Sequence, residues 1–366
     1  MLKVLIITGS YPPDLCGVGD YTFHLAETLA ADSNKKVAVL TSISEGATLK
    51  SSSVKVFRLM PDWKIKRAFI VKRFIEEFQP DVVHIQYPTQ GYGIDFLPMV
   101  LPLISLLMGR KVVQTWHEHQ SYSILEVTKV FFKAIIPGCL VVVRPKYKEN
   151  FHPLLSWVFW NKRVIFIRNA STIPIIKFNE NEIHSLRKKY LKGQKRLIVF
   201  FGFVYPHKRV ELLLEIANPD TDQIVIAGAI DRESKYQREL MTLCSSKTWL
   251  GKVTITGYIS STDVGPLLHI ADAVVLPFYA GGGEWNTSIH GAVLMGTCVI
   301  TTSLTQRGYD KKYNVYYAKV DDVLEMKSAL NNYAGKRRKF NRDIDKDDWQ
   351  QIANEHCAVY RDISKI

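Results

Sequence analysis

The sequence predicts an α/β protein made of two doubly wound parallel-sheet domains, and three observations lead to that expectation. Short apolar runs alternate with helix-like amphipathic stretches along the whole chain. The alternation starts afresh after residue 190. The length of 366 residues also exceeds what a single ordinary core organises.

In the first half the candidate strands are residues 4–8, 36–41, 54–59, 81–85, 111–115 and 140–143, closed by 164–167. Between them lie amphipathic segments such as 21–29 and 67–78. In the latter, Phe69, Ile70, Phe74 and Phe78 oppose Lys72, Arg73, Glu76 and Glu77. Strands that are apolar throughout, separated by helices, belong to a parallel sheet covered on both faces. A second set follows at 196–201, 223–227, 253–255, 273–277, 298–302 and 315–318. Residues 169–187 are polar and read as the linker, and 348–362 reads as a closing helix with Trp349, Ile352 and Val359 on its apolar side. The expected division is 1–168, 169–345 and a C-terminal helix, 346–366, that returns to the first domain. Such sheets bind ligands at the carboxyl ends of their strands, where two facing domains share a cleft.

Composition narrows the class. Hydrophobic residues make up 47% and charged residues 23%, which is globular and not disordered. The five cysteines are scattered, form no Cys-x-x-Cys pair and suit a reducing cytoplasm. The opening MLKVLIITGS reads as a first strand and not as a secretory signal. No apolar run reaches the roughly 18–20 residues a spanning helix needs, the nearest being 96–108, which contains two prolines. Net charge is +13, divided as +7 through residue 165 and +6 beyond it. A surplus spread in this way points to anionic ligands or an anionic membrane surface, and away from a nucleic-acid stripe.

Four segments carry candidate chemistry. In TGSYPPDLCGVGD, Gly17 and Gly19 stand between a strand and a helix, where backbone N–H groups meet an anion; a turn needing positive φ is the plainer reading. In FFGFVYPHKRVELLLEI, a strand runs into Gly202, and Lys208 falls at an expected helix start. A cation there opposes the helix dipole, so a bound anion would supply the compensation; a solvated lysine is the alternative. In LPFYAGGGEWNTSIHGAVLMG, three glycines and Glu284 precede Asn286, Thr287 and Ser288. Thr287 or Ser288 is expected to cap a short helix able to bind a diphosphate, although capping alone explains those residue types. In QTWHEHQ, His117 follows a strand end and is better suited to hydrogen-bonding a hydroxylated substrate than to a metal, since no partner ligands stand at recognisable spacing.

Taken in order, these segments resemble family 4 of the retaining glycosyltransferases. The resemblance extends through PDVVHIQY, IRNASTIP, ITGYISSTDVGPLLHIADAVVLPF and DWQQIANEHCAVYRDI, and so covers essentially the whole chain. It implies the GT-B architecture of two facing Rossmann-like domains, with the acceptor domain first and the nucleotide-sugar domain second. It also implies roles for individual residues. Gly17 and Gly19 would lie near the donor diphosphate, and His117 would face the transferred sugar. Lys208 would neutralise the leaving diphosphate, and Thr287, Ser288 and Ile289 would bind its oxygens. Gly202, Tyr258 and Asn286 would complete the donor loops.

Two departures stand out. The family's pair of glutamates, separated by seven residues, falls on Gly283 and Gly291; Glu284, one residue out of register, is the catalytic candidate in their place. Phe203 occupies the position of a usual basic residue. A glycine-rich loop before a Ser-led helix is similar to members that lack the pair.

The expected activity is metal-independent retaining transfer from a nucleotide-diphosphate sugar, with no cofactor, to a saccharide or lipid-linked acceptor. The leaving charge would fall on Lys208 and the helix near Ser288. A catalytically silent GT-B binding or partner subunit is the alternative. Lys64, Lys66, Arg67, Lys72 and Arg73 gather near Trp63 and Phe69 as an acceptor or anionic-membrane face might, set against the plainer reading of a solvated helix. The expected location is cytoplasmic, with peripheral contact at the inner membrane face.

Overall fold

A computed structural model describes residues 1–45, 53–117, 131, 134–145, 162–174, 179–283, 285–339 and 348–364. The chain divides into two compact units, Met1–Ala170 with Asp347–Ile366, and Ser171–Lys346.

Unit 1 is built on seven strands: β1 (Leu2–Ile7), β2 (Lys35–Ser42), β3 (Lys55–Met60), β4 (Val82–Tyr87), β5 (Lys111–Trp116), β6 (Cys139–Val142) and β7 (Arg163–Phe166). They lie in the order β3-β2-β1-β4-β5-β6-β7, and every pairing is parallel. Alternate strand residues feed two separate cores. Leu5, Ile7, Val83 and Ile85 pack under α2 (Ala68–Phe78) and α3 (Leu97–Leu107). Val4, Ile6, Val82 and Val113 face α1 (Gly17–Ala30), against which the C-terminal helix of 348–364 packs. A sheet buried on both faces needs apolar side chains at consecutive positions, which explains the unbroken VLII and VVHI runs.

Unit 2 begins with α4 (Glu180–Leu191), which lies in the stretch expected to be linker. No residue of this helix is fully buried, but Ile183, Leu186, Tyr190 and Leu191, spaced along one helical face, are partly buried against the core of unit 2. Local signals add to that packing. Asn179 caps its first turn, Glu180 and Glu182 stand at the N-terminus, and Lys188 and Lys189 stand in the last turn. The second sheet consists of β8 (Arg196–Phe201), β9 (Asp222–Ala227), β10 (Val253–Ile255), β11 (Ala273–Leu276), β12 (Val299–Ser303), β13 (Gly308–Asp310) and β14 (Val315–Lys319). Its order is β10-β9-β8-β11-β12-β14-β13. The edge strand β13 runs antiparallel to β14 and was not expected; three half-buried residues carry too little pattern to announce a strand. Further helices are α5 (Leu213–Ile216), α6 (Lys235–Cys244), α7 (Ser261–Ile270), α8 (Thr287–Leu294) and α9 (Val323–Tyr333), and α10 (Asp348–Ser364) belongs to unit 1.

Both sheets reverse their strand order at one place, between β1 and β4 in unit 1 and between β8 and β11 in unit 2. The carboxyl ends of the strands at such a switch point are where doubly wound sheets bind ligands.

Candidate functional site

At the switch point of unit 1, the loops after β1 and β4 clasp one another. Gly9 N donates to Thr89 Oγ1 at 2.9 Å and Gly91 N donates to Ser10 Oγ at 2.8 Å. A Cβ on Gly91 would lie 1.8 Å from the Gly9 carbonyl oxygen, so these backbones touch only because both residues are glycine. Gly17 and Gly19 do not occupy a positive-φ turn, contrary to the plainer expectation; they form the first turn of α1. Gly19 is buried, and a Cβ there would come within 3.1 Å of Ser10 O. Its lack of a side chain serves close packing of helix on loop.

His117 follows β5, with its N–H donating to Tyr87 O at 2.9 Å. Its imidazole meets the Tyr21 ring edge-on at 4.6 Å and its Nε2 lies 2.7 Å from Gln86 Oε1. Burial holds its pKa down at about 3, with His356 adding to the effect, so the ring is neutral. The surroundings are ones the sequence did not disclose. His84 and Gln86 project from β4 beneath it, and His356 and Tyr360 come from α10. His356 and Tyr360 do continue the four-residue spacing of the buried stripe from Ile352, which was the available signal.

At the switch point of unit 2, Lys208 does not begin a helix. It ends a 3₁₀ turn, Pro206–Lys208, and Arg209 at φ +51 interrupts the chain before a second 3₁₀ turn and the four-residue α5. The argument from an opposing helix dipole therefore does not apply. Its ammonium lies instead 4.1 Å from the centroid of Phe278, the residue two beyond β11, and Tyr279 N donates to His207 O at 3.0 Å, fastening the β8 and β11 loops together. Phe203, in the position of the family's basic residue, begins a ladder of three rings. It stacks on Tyr205 at 5.8 Å, and Tyr205 stacks on His207 at 5.6 Å.

The glycine loop after β11 is tied back by Gly282 N to Thr302 O at 2.7 Å. Neither Thr287 nor Ser288 caps α8. Asn286 is the N-cap residue, and its Oδ1 accepts from Gly283 N at 2.9 Å, so no side chain caps the helix. Thr287 and Ser288 are half-buried at the uncapped N-terminus, and Ile289 is buried. Side chains border both positions at which the resemblance places a glutamate. A Cβ at Gly283 would strike the Trp285 ring at 2.4 Å, and one at Gly291 would strike Ile173 Cδ1 at 2.3 Å. Glu284 lies outside the described residues. Gly202 adopts φ +137, and its carbonyl approaches Gly228 so closely that a Cβ there would lie 2.2 Å away. Tyr258 follows β10 and is exposed.

Lys64, Lys66, Lys72 and Arg73 are exposed on and before α2. Arg67 pairs with Asp62 at 3.2 Å, and Arg73 pairs with Glu77 at 2.7 Å. Trp63 does not belong to that face, because it is 0% exposed and its Nε1 donates to Ser42 Oγ at 2.8 Å. It acts as a post. Trp63 N donates to Asp95 Oδ2 and Trp63 O accepts from Leu97 N, so the segment carrying exposed Ile94 and Phe96 is drawn against the one carrying exposed Ile65 and Phe69.

Residues 195–334 match the family described as Glycosyl transferases group 1. The matched residues make up most of unit 2. Solved GT-B glycosyltransferases share the fold of the entire chain. Sucrose-phosphate synthase from Thermosynechococcus elongatus superposes with a TM-score of 0.76 at 16% identity over 99% of each chain. The Anabaena protein HepE, solved with UDP-glucose, gives 0.72 at 15% identity over 100% of this chain and 99% of its own. The catalytic domain of starch synthase IV from Arabidopsis thaliana, bound to ADP and acarbose, gives 0.69 at 14% identity over 100% of both. Among curated proteins, no sequence matches. Among the described residues, no helix is long and apolar enough to cross a membrane.

Proposed function

We propose that the protein is a retaining glycosyltransferase of the family 4 type, moving a sugar from a nucleotide-diphosphate sugar to a saccharide or lipid-linked acceptor in polysaccharide or glycoconjugate synthesis. The observation that carries the proposal is the ammonium of Lys208, held over Phe278 at the switch point of a domain that matches glycosyl transferases group 1. The ligands in similar structures, UDP-glucose in HepE and ADP in starch synthase IV, support a diphosphate donor.

In this reading the bond from the anomeric carbon to the diphosphate oxygen breaks with its electrons passing to the diphosphate. Lys208 and the N-terminus of α8 stabilise that charge. The acceptor oxygen bonds to the anomeric carbon on the same face, and its proton passes to the departing phosphate oxygen. Neutral His117 hydrogen-bonds the sugar. Gly202, Tyr258 and the Asn286–Ile289 turn hold the nucleotide and diphosphate. No metal or cofactor is called for. Loss of turnover in EDTA that Mg²⁺ or Mn²⁺ restores would contradict this point.

For the acceptor, the exposed apolar side chains Ile65, Phe69, Ile94 and Phe96 beside Lys64, Lys66 and Lys72 favour a lipid-linked saccharide met at an anionic membrane surface on the cytoplasmic side. A hydrolysis assay across a panel of nucleotide sugars tests the central claim. Turnover of one donor is expected, whereas tight binding without turnover of any of them would make the chain a silent binding subunit.

A further inference from the structure

His117 is the visible end of a hydrogen-bonded chain through the interior of unit 1. Its Nε2 lies 2.7 Å from Gln86 Oε1, and Gln86 Nε2 lies 3.2 Å from His84 Nε2. His84 Nδ1 in turn lies 2.7 Å from the hydroxyl of Tyr360, while Thr115 Oγ1 lies 2.7 Å from His84 Nε2. The chain thus passes from the end of β5 through two residues of β4 to α10. Gln86, His84, Thr115 and Tyr360 are all 0% exposed.

A carboxamide is a directional link. Its oxygen only accepts and its nitrogen only donates, unlike a hydroxyl, which does both. With Oε1 toward His117, the matching group there is Nε2–H, which leaves Nδ1 as a lone pair. With its amide N–H toward His84 Nε2, that nitrogen must be the acceptor, so the proton of His84 resides on Nδ1 and is donated to the Tyr360 oxygen. Turning the amide over reverses both rings together. Burial lowers the pKa of both rings, so a second proton does not relax this logic. Among the described residues, His117 Nδ1 takes no hydrogen bond.

We propose that Tyr360, His84 and Gln86 are positioning residues that hold His117 as its Nε2–H tautomer and so present Nδ1 as the acceptor for a hydroxyl of the substrate sugar. The proposal rests on the reading of His117 as a sugar-facing residue. It gives the C-terminal helix a part in the reaction beyond packing. Second-layer partners of this kind set which nitrogen of a histidine is available.

Long-range ¹H–¹⁵N spectra of the full-length, ¹⁵N-histidine-labelled protein read the tautomer directly. The wild type is expected to show His117 protonated on Nε2 and unprotonated on Nδ1. Tyr360→Phe removes the acceptor of His84 Nδ1–H, so His84 moves its proton to Nε2 and donates to Thr115. The amide of Gln86 then turns, and His117 shifts to the Nδ1–H form although nothing touching it has changed. The kcat/KM for nucleotide-sugar hydrolysis should fall about tenfold, the value of one hydrogen bond. Gln86→Leu severs the chain beside His117, and adding Tyr360→Phe to it should leave the His117 resonances unmoved. A wild-type His117 protonated on Nδ1, or resonances that ignore Tyr360→Phe, overturns the proposal. A tautomer shift with unchanged kcat/KM upholds the relay and refutes instead the sugar-facing role of His117.

Discussion

The ammonium of Lys208 rests 4.1 Å from the ring centroid of Phe278, and so a cation expected on a helix is held by the loop of a neighbouring strand. An aromatic face favours the charged form of a lysine and fixes its position. Lys208→Ala should therefore lower kcat by about 10²–10³-fold, the loss typical of one transition-state charge donor. Phe278→Leu keeps the charge and loosens its position, and should cost about tenfold in kcat and no more than ~1 kcal/mol in stability. Initial rates of sugar transfer with thermal melts check both, and an unaffected Lys208→Ala enzyme would remove Lys208 from the mechanism.

Gly91 allows the loops of unit 1 to touch. Gly91→Ala drives a Cβ to within 1.8 Å of the Gly9 carbonyl, a backbone atom that no rotamer change can clear. The loops must part and lose the Gly91–Ser10 and Gly9–Thr89 bonds. A loss of about 3 kcal/mol is expected in denaturant unfolding, in line with overpacking of a rigid site. Gly93→Ala two residues along meets no atom, but at φ +52 and ψ −133 the backbone suits glycine alone, so about 1–3 kcal/mol is expected from strain without any clash.

Acid should destabilise unit 1 over a defined window. His84, His117 and His356 all have folded pKa values below the usual histidine value, with His117 at about 3 and His356 at about 4, because burial disfavours their charged forms. The unfolded chain binds these protons first, so stability is full above about pH 6.5 and declines as pH falls toward the folded values. At pH 5 His117 and His356 would each remove about 2 kcal/mol, and His84 acts in the same direction. Asp20 opposes them, since burial raises its pKa to about 6, and protonation of the folded state between that value and the ordinary carboxylate range restores some stability. Three groups outweigh one. His356→Phe should flatten the slope of melting temperature against pH between 6.5 and 5, and an unchanged slope would mean that His356 is protonated in the fold.

Because Arg67 and Arg73 are already paired with Asp62 and Glu77, the lysines should dominate adsorption to membranes. Replacing Lys64, Lys66 and Lys72 with Gln should weaken sedimentation with anionic vesicles at low salt by about 1 kcal/mol per side chain. Phe69→Ser should weaken it further, since that ring is 61% exposed. Nucleotide binding should be unchanged in all of these variants. Equal partition of wild type and variants would make a soluble saccharide the acceptor.

The sequence by itself determined the strands of both sheets except β13, because a strand covered on both faces must be apolar at consecutive residues; Arg196–Phe201 was legible to the residue, and so was the half-buried Val253–Ile255. It also determined where these strands end, since His117 and Gly202 directly follow β5 and β8. What it could not convey is what lies beside those residues. Lys208 has Phe278 as its neighbour 70 positions away, and Tyr360 meets His84 across 276. Such partners come together only when parallel strands stack in an order different from the order of the chain. The role of each glycine was likewise decided in three dimensions. At Gly91 another backbone occupies the space a side chain would need, while a Trp285 ring and the end of Ile173 border Gly283 and Gly291, and no local pattern records those neighbours.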